Sequence, residues 1–166
     1  AEDSATALSG TSTALSLDLD STGAITDDGT ADVTVTNLAD FAGTSVTVDD
    51  TMNFGSLTFN SAGAVVVAED SATALSGTST ALSLDLDSTG AITDDGTADV
   101  TVTNLADFAG TSVTVDDTMN FGSLTFNSAG AVVVAEDSAT ALSGTSTALS
   151  LDLDSTGAIT DDGTAD

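Results

Sequence analysis

Residues 1–67 recur as residues 68–134 without a substitution, and residues 135–166 repeat residues 1–32. Perfect repetition at a fixed period narrows the fold more than any other feature of this chain. A solenoid places equivalent residues in equivalent surroundings, each unit burying its apolar face only against its neighbours, so identical copies suit it. An antiparallel sandwich needs distinct edge and centre strands and gains nothing from identity. The chain is therefore read as one continuous solenoid: a first copy at 1–67, a second at 68–134 and a partial third at 135–166. The stop in mid-repeat points to an excerpt from a longer array, an averaged consensus or a designed array.

A finer period lies inside the 67. Gly23, Gly43, Gly63 and Gly90 are spaced by 20, 20 and 27, and the acidic pairs Asp27-Asp28, Asp49-Asp50, Glu69-Asp70 and Asp94-Asp95 by 22, 20 and 25. Three unequal coils of about 22 residues would fill one repeat, the size of a three-sided coil. The predicted fold class is all-β, a right-handed parallel β-helix (β-solenoid) with about three coils per 67-residue repeat. The hexapeptides of a left-handed helix and the glycine-aspartate nonapeptides of a β-roll are absent.

Local patterning gives the strands. Leu15, Leu17 and Leu19 alternate with polar residues, and Val33-Thr34-Val35-Thr36, Val46-Thr47-Val48-Asp49 and Leu57-Thr58-Phe59-Asn60 do the same. The alternation predicts that Leu17, Leu19, Val33, Val35, Val46, Val48, Leu57 and Phe59 face inward. Ala5 to Leu8 is read as a short strand and Leu38 to Ala42 as a corner bulge carrying Phe41 inward. Leu57 to Asp70, LTFNSAGAVVVAED, holds the whole scheme in one stretch: alternating strand, small-residue corner, Val run and acidic pair.

Composition bears on what such an object does. There are 27 acidic side chains and no Lys, Arg or His, so no internal salt bridge is available and the charge is balanced from outside. Hydrophobic residues make up 40%, too many for an acidic disordered tail. No signal-like or bilayer-length apolar run occurs, so a mature, soluble segment without membrane insertion is expected. Phosphate recognition depends on Lys and Arg, which excludes nucleic acid as a partner.

The runs LSGTSTALSLDLDSTGAITD and GSLTFNSAGAVVVAEDSATALSG resemble the β-strand repeats of very large bacterial surface proteins, similar to filamentous haemagglutinin-type and autotransporter-like adhesins. The resemblance covers the whole chain. It implies a secreted, right-handed β-helical filament, sheath or adhesin stalk at the bacterial cell surface.

Catalytic chemistry finds little support in these residues. Without His, Cys, Lys or Tyr, Ser and Thr lack an ordinary activating base. Glycoside cleavage needs two carboxylates in unlike environments, whereas these recur identically in each copy. No enzyme activity and no required cofactor are expected. The carboxylates remain the candidate site: Asp27, Asp28, Asp49, Asp50, Glu69, Asp70, Asp94 and Asp95, stacked on successive coils and suited to Ca²⁺, with a solvated acidic rim as the plainer reading. Three coils of about 4.8 Å span about 14 Å and carry ten acidic groups, a spacing of about 1.4 Å per charge, denser than the roughly 1.7 Å of duplex DNA. Expected partners are cations and further copies of the solenoid, end to end and laterally. Calcium-dependent adhesion or surface-layer function is the alternative. A more distant one is ice binding through outward Thr34, Thr36, Thr47 and Thr58.

Overall fold

The structure, a computed structural model, describes residues 2–166. Seventeen strands among these described residues form one continuous parallel β-solenoid. Two sheets run its length as walls. The front wall stacks Thr6, Ile25, Val46, Val65, Leu84, Ala106, Leu124 and Leu142 in direct register, one residue per coil. The back wall stacks Leu17, Ala39, Leu57 and Leu75, then continues through the same strand as Thr73, Ile92, Val113, Val132 and Leu151. The two columns are about half a coil apart along the chain, so they form opposite walls of the tube.

Ser-Ala-Thr-Ala-Leu occurs once per repeat, and its three copies expose the helical symmetry. Thr6–Leu8 opens the front wall and Thr140–Leu142 lies on the same wall seven coils later, whereas Thr73–Leu75 sits on the back wall. Two repeats therefore make seven coils, and one repeat makes three and a half. Coils are three-sided and average about 19 residues, shorter than the spacing of glycines suggests. Equivalent residues of successive copies point to opposite sides of the rod.

This half-turn explains the uneven glycine spacing. Gly23, Thr44 and Gly63 stack at one corner, where Thr44 donates to the Gly23 carbonyl at 2.9 Å and a Cβ on Gly63 would strike the Thr44 carbonyl. Gly90 packs at the opposite corner against Ala72, and the interval of 27 is a coil and a half.

The third side is where the half-turn shows. In the first copy it is formed by 11–14, 32–35 and 51–54, along one edge of the tube. In the second it is formed by 78–81, 99–102 and 118–121, along the other edge. Opposite each stretch of side strands the coils turn tightly, leaving a shallow groove lined by Asp20, Ser21, Ala42, Gly43 and Asn60 in the first copy. Asp87, Ser88, Ala109, Gly110 and Asn127 line its equivalent in the second.

The predicted inward residues Val33, Val35, Val46, Val48, Leu57 and Phe59 are buried. Leu17 and Leu19 are only partly covered in the outermost coils, but their equivalents Leu84 and Leu86 are fully buried in mid-solenoid. Phe41 packs on Phe54 with ring centroids 5.6 Å apart, and Phe108 on Phe121 likewise, filling the core where a side strand widens the cross-section. Two local readings change. Leu38 to Ala42 is not a corner but part of the strand Asp32–Gly43, with the bulge just before it at Thr36-Asn37. Leu15 leaves the leucine alternation and faces out, as its mid-solenoid equivalent Leu82 does at 44% exposure, because the chain turns a corner at residue 16.

With a coil rise of about 4.8 Å, one repeat advances about 17 Å and the true axial period is about 34 Å. Oriented fibres of a tandem array should show layer lines indexing on about 34 Å, a meridional reflection near 17 Å and intensity near 4.8 Å. A meridional spacing near 14 Å would restore three coils per repeat.

Candidate cation site and acidic surface

The acidic pairs separate into different environments. Asp27 ends the front-wall strand Ile25–Asp27, and its carboxylate accepts the Asp49 N–H at 2.5 Å and the Asp50 N–H at 3.2 Å from the next coil. Asp50 reaches back to the Ala31 N–H at 2.9 Å. Asp28 instead closes its own loop, accepting from the Thr30 N–H at 3.0 Å and the Thr30 hydroxyl at 2.6 Å around Gly29, whose φ of 80° is the left-handed conformation that favours glycine.

The second copy repeats this arrangement. Asp94 accepts the Asp116 N–H at 2.6 Å, Asp117 the Ala98 N–H at 3.0 Å, and Asp95 closes the loop with Thr97. Carboxylate oxygens of Asp94, Asp116 and Asp117 lie within 4.8 Å of one another, close enough for three ligands to meet at one cation. Sequence reasoning selected Asp94 and, through their first-copy equivalents Asp49 and Asp50, the other two. These backbone donors tie the cluster together, so it is no free ladder of repelling charges.

Glu69 and Asp70 do not continue the stack. Asp70 is exposed, while Glu69 points into the core with 2% of its surface accessible. The side strands end at 51–54, and the following coil turns tightly after Glu69 pairs with Met52, leaving the Phe54 N–H without a strand partner. The Glu69 carboxylate takes that N–H at 3.0 and 3.2 Å and accepts the Ser71 hydroxyl at 3.2 Å. Burial pushes its pKa up to about 7, with the Phe54 and Ser71 hydrogen bonds opposing and Asp70 adding slightly.

Glu136 does the same for the Phe121 N–H at 2.8 Å, and burial likewise raises its pKa. Thr140 also donates to Glu136 at 3.3 Å, whereas the equivalent Thr73 hydroxyl is buried without a partner. The opposite junction, where a new side strand begins, is closed by the Ser79 hydroxyl on the Phe59 N–H at 3.2 Å and by Thr80 on Asn60 at 2.8 Å.

A second acidic feature escaped the sequence reading. Asp18 and Asp40 are direct neighbours on the back wall with Asp20 beside them, and Asp85 and Asp107, with Asp87, form the same patch on the front wall. Partial burial raises the pKa of Asp40, Asp85 and Asp107, and the adjacent carboxylates raise it further. The signal was present in the outward residues of LDLD and the one-coil step to ADF. Outward threonines form no unbroken row. The front-wall file reads Thr26, Thr47, Val66, Asp85, Asp107, Thr125.

No described protein family, no curated protein and no solved structure matches the chain. The fold defines a class, the parallel β-solenoid scaffold. Among the described residues no helix is long and apolar enough to cross a membrane.

Proposed function

We propose that the chain is a structural rod, the body of an extracellular filament, sheath or adhesin stalk on a bacterial surface. The observation that carries this reading is the unbroken parallel ladder of both walls, coil after coil, with the same surface chemistry returning every half-turn. Such a rod lengthens by repetition alone, each further copy pairing its first coil with the last coil of the copy before. Ten carboxylates per about 17 Å give one charge per roughly 1.7 Å, the density of duplex DNA, which keeps the rods apart until cations condense. Tandem arrays of two, four and eight repeats should lengthen by about 17 Å per repeat in electron images, and labelling of intact cells should reach the array. Globular particles whose longest dimension grows far more slowly would overturn the rod.

The Asp94, Asp116 and Asp117 cluster favours a second reading, a calcium-dependent surface module. At matched ionic strength, millimolar Ca²⁺ should then raise the melting temperature above that in EDTA, and Asp94→Asn with Asp27→Asn should remove the increment. Equal melting in Ca²⁺ and EDTA would leave only a solvated acidic rim with diffuse cations.

A further inference from the structure

The half-turn between copies fixes what the two walls show at any one height along the rod. Where the front wall presents Thr26 and Thr47, the back wall presents Asp18 and Asp40. Half a period on, the front wall carries Asp85 and Asp107 while the back wall carries Ala74, Thr93 and Thr114. Asp40 thus stands level with Thr26 and Thr47 on the other wall, and Asp107 with Thr93 and Thr114. In a tube with three or four coils per repeat in whole numbers, every acidic patch would lie on the same wall.

From this we propose that the rods associate side by side with copies of themselves, parallel and without axial shift, the front wall of one against the back wall of the next. This inference rests on the structural-rod reading and specifies its lateral partner. In that register the Asp85 and Asp107 carboxylates meet the Thr93 and Thr114 hydroxyls of the neighbour, and Asp18 and Asp40 meet Thr26 and Thr47. Each carboxylate gains an O–H donor, Thr93 turning away from its long 3.5 Å bond to the Thr73 carbonyl, in a chain that has no cationic side chain to offer. Front wall on front wall in the same register sets Asp85 and Asp107 against their own copies, the costly arrangement. Because both walls of every rod are complementary, association continues as a sheet of rods, a heterologous contact that does not close.

The area involved is small. A wall three or four residues wide offers on the order of 200 Å² per repeat, so about four repeats are needed for the roughly 800 Å² per partner of a standard interface. Short chains associate weakly, and covalent capture reads the geometry best.

The chain has no Cys, so each engineered thiol is unique. Asp107→Cys and Thr114→Cys variants, mixed at millimolar concentration in about 0.15 M salt and oxidised, should yield mainly the Asp107→Cys to Thr114→Cys heterodimer, several-fold above either homodimer. Circular dichroism of each variant checks that the strands are intact. A second variant, with Thr26→Val, Thr47→Val, Thr93→Val and Thr114→Val repeated through long arrays, should abolish their lateral association while leaving rod length unchanged. Predominance of the Asp107→Cys homodimer, or association undiminished by the valines, overturns the proposed facing and leaves the rod reading standing. Rods of the expected length that never associate laterally overturn the proposal too, whereas absence of rods altogether sinks the underlying reading.

Discussion

Glu69→Gln together with Glu136→Gln should make the solenoid more stable at pH 8 and remove most of its gain on acidification. Both carboxylates are buried, and each accepts a backbone N–H that no strand pairs. The Glu69 pKa stands at about 7 against an ordinary 4.5, so between these values the folded chain holds a proton that the unfolded chain releases. Stability therefore rises as pH falls through about 7, levels near 4.5, and is lowest above 7, the reverse of ordinary acid denaturation. The shift corresponds to about 3 kcal/mol for Glu69, with Glu136 adding in the same direction.

Glutamine keeps a carbonyl for Phe54 and Phe121 without the charge. Its amide also offers the unpartnered Thr73 hydroxyl a donor. The double glutamine variant at pH 8 should melt close to the parent at pH 5. A residual pH effect remains from the Asp18–Asp40 and Asp85–Asp107 neighbours, whose raised pKa values have the same sign.

Glu69→Ala with Glu136→Ala should do the opposite. It strands two buried N–H groups and leaves two cavities, a loss of about 2–4 kcal/mol per site that persists at pH 5. Urea melts of the three chains at pH 5 and pH 8 separate these outcomes. Equal pH dependence in parent and glutamine variant would show that both glutamates are already neutral or fully solvated.

The inward wall residues could be read from the alternation of Val, Leu and Phe, because a buried sheet face imposes a period of two whatever the overall geometry. The half-turn could not be read so directly. Identical copies invite the assumption of identical orientation, and only the interval from Gly63 to Gly90 contradicted it. That interval suggested a longer third coil, whereas it is one coil and a half, closed by Gly90 against Ala72.

Glu69 was misplaced for a related reason. Beside Asp70 it looks like half of a surface pair, yet Val65, Val67 and Glu69 share one face of the strand Ala64–Glu69 and all three are buried. What turns a carboxylate inward is the missing strand above 69–71, a consequence of the third side changing edges, and no local pattern announces that change. The acidic cluster was partly legible, since the Asp27 carboxylate does meet the backbone of Asp49 and Asp50 on the next coil. Their hydrogen bonds to the backbone depend on how far each coil is offset from the next, which residue types alone do not fix.

Gly55→Ala and Gly122→Ala should be the most damaging glycine substitutions in the chain. Val35 pairs with Phe54 and Leu38 with Ser56, so Thr36 and Asn37 together oppose the single residue Gly55. This bulge lets the strand Asp32–Gly43 turn from the third side onto the back wall without breaking, and it pushes the Thr36 carbonyl toward the neighbouring strand. A Cβ on Gly55 would run into the Thr36 carbonyl oxygen and come within 2.9 Å of that of Asn37, while Gly122 meets Thr103 and Asn104 in the same way. Both obstacles are backbone, held by pairing on either side, so relief requires the two strands to part at the corner.

The expected loss is about 2–4 kcal/mol per site, and in an array it recurs in every repeat. Gly10→Ala and Gly29→Ala serve as controls. Both glycines have positive φ, but nothing lies within 4 Å of the added carbon, so only the conformational cost of about 1–2 kcal/mol applies. Thermal melts of the four single variants should rank Gly55→Ala and Gly122→Ala well below the controls, with weakened hydrogen-exchange protection along 36–38 and 103–105. Equal losses at all four positions would mean that the bulge yields without strain and that the corner, although it re-aims the strand, does not limit the stability of the rod.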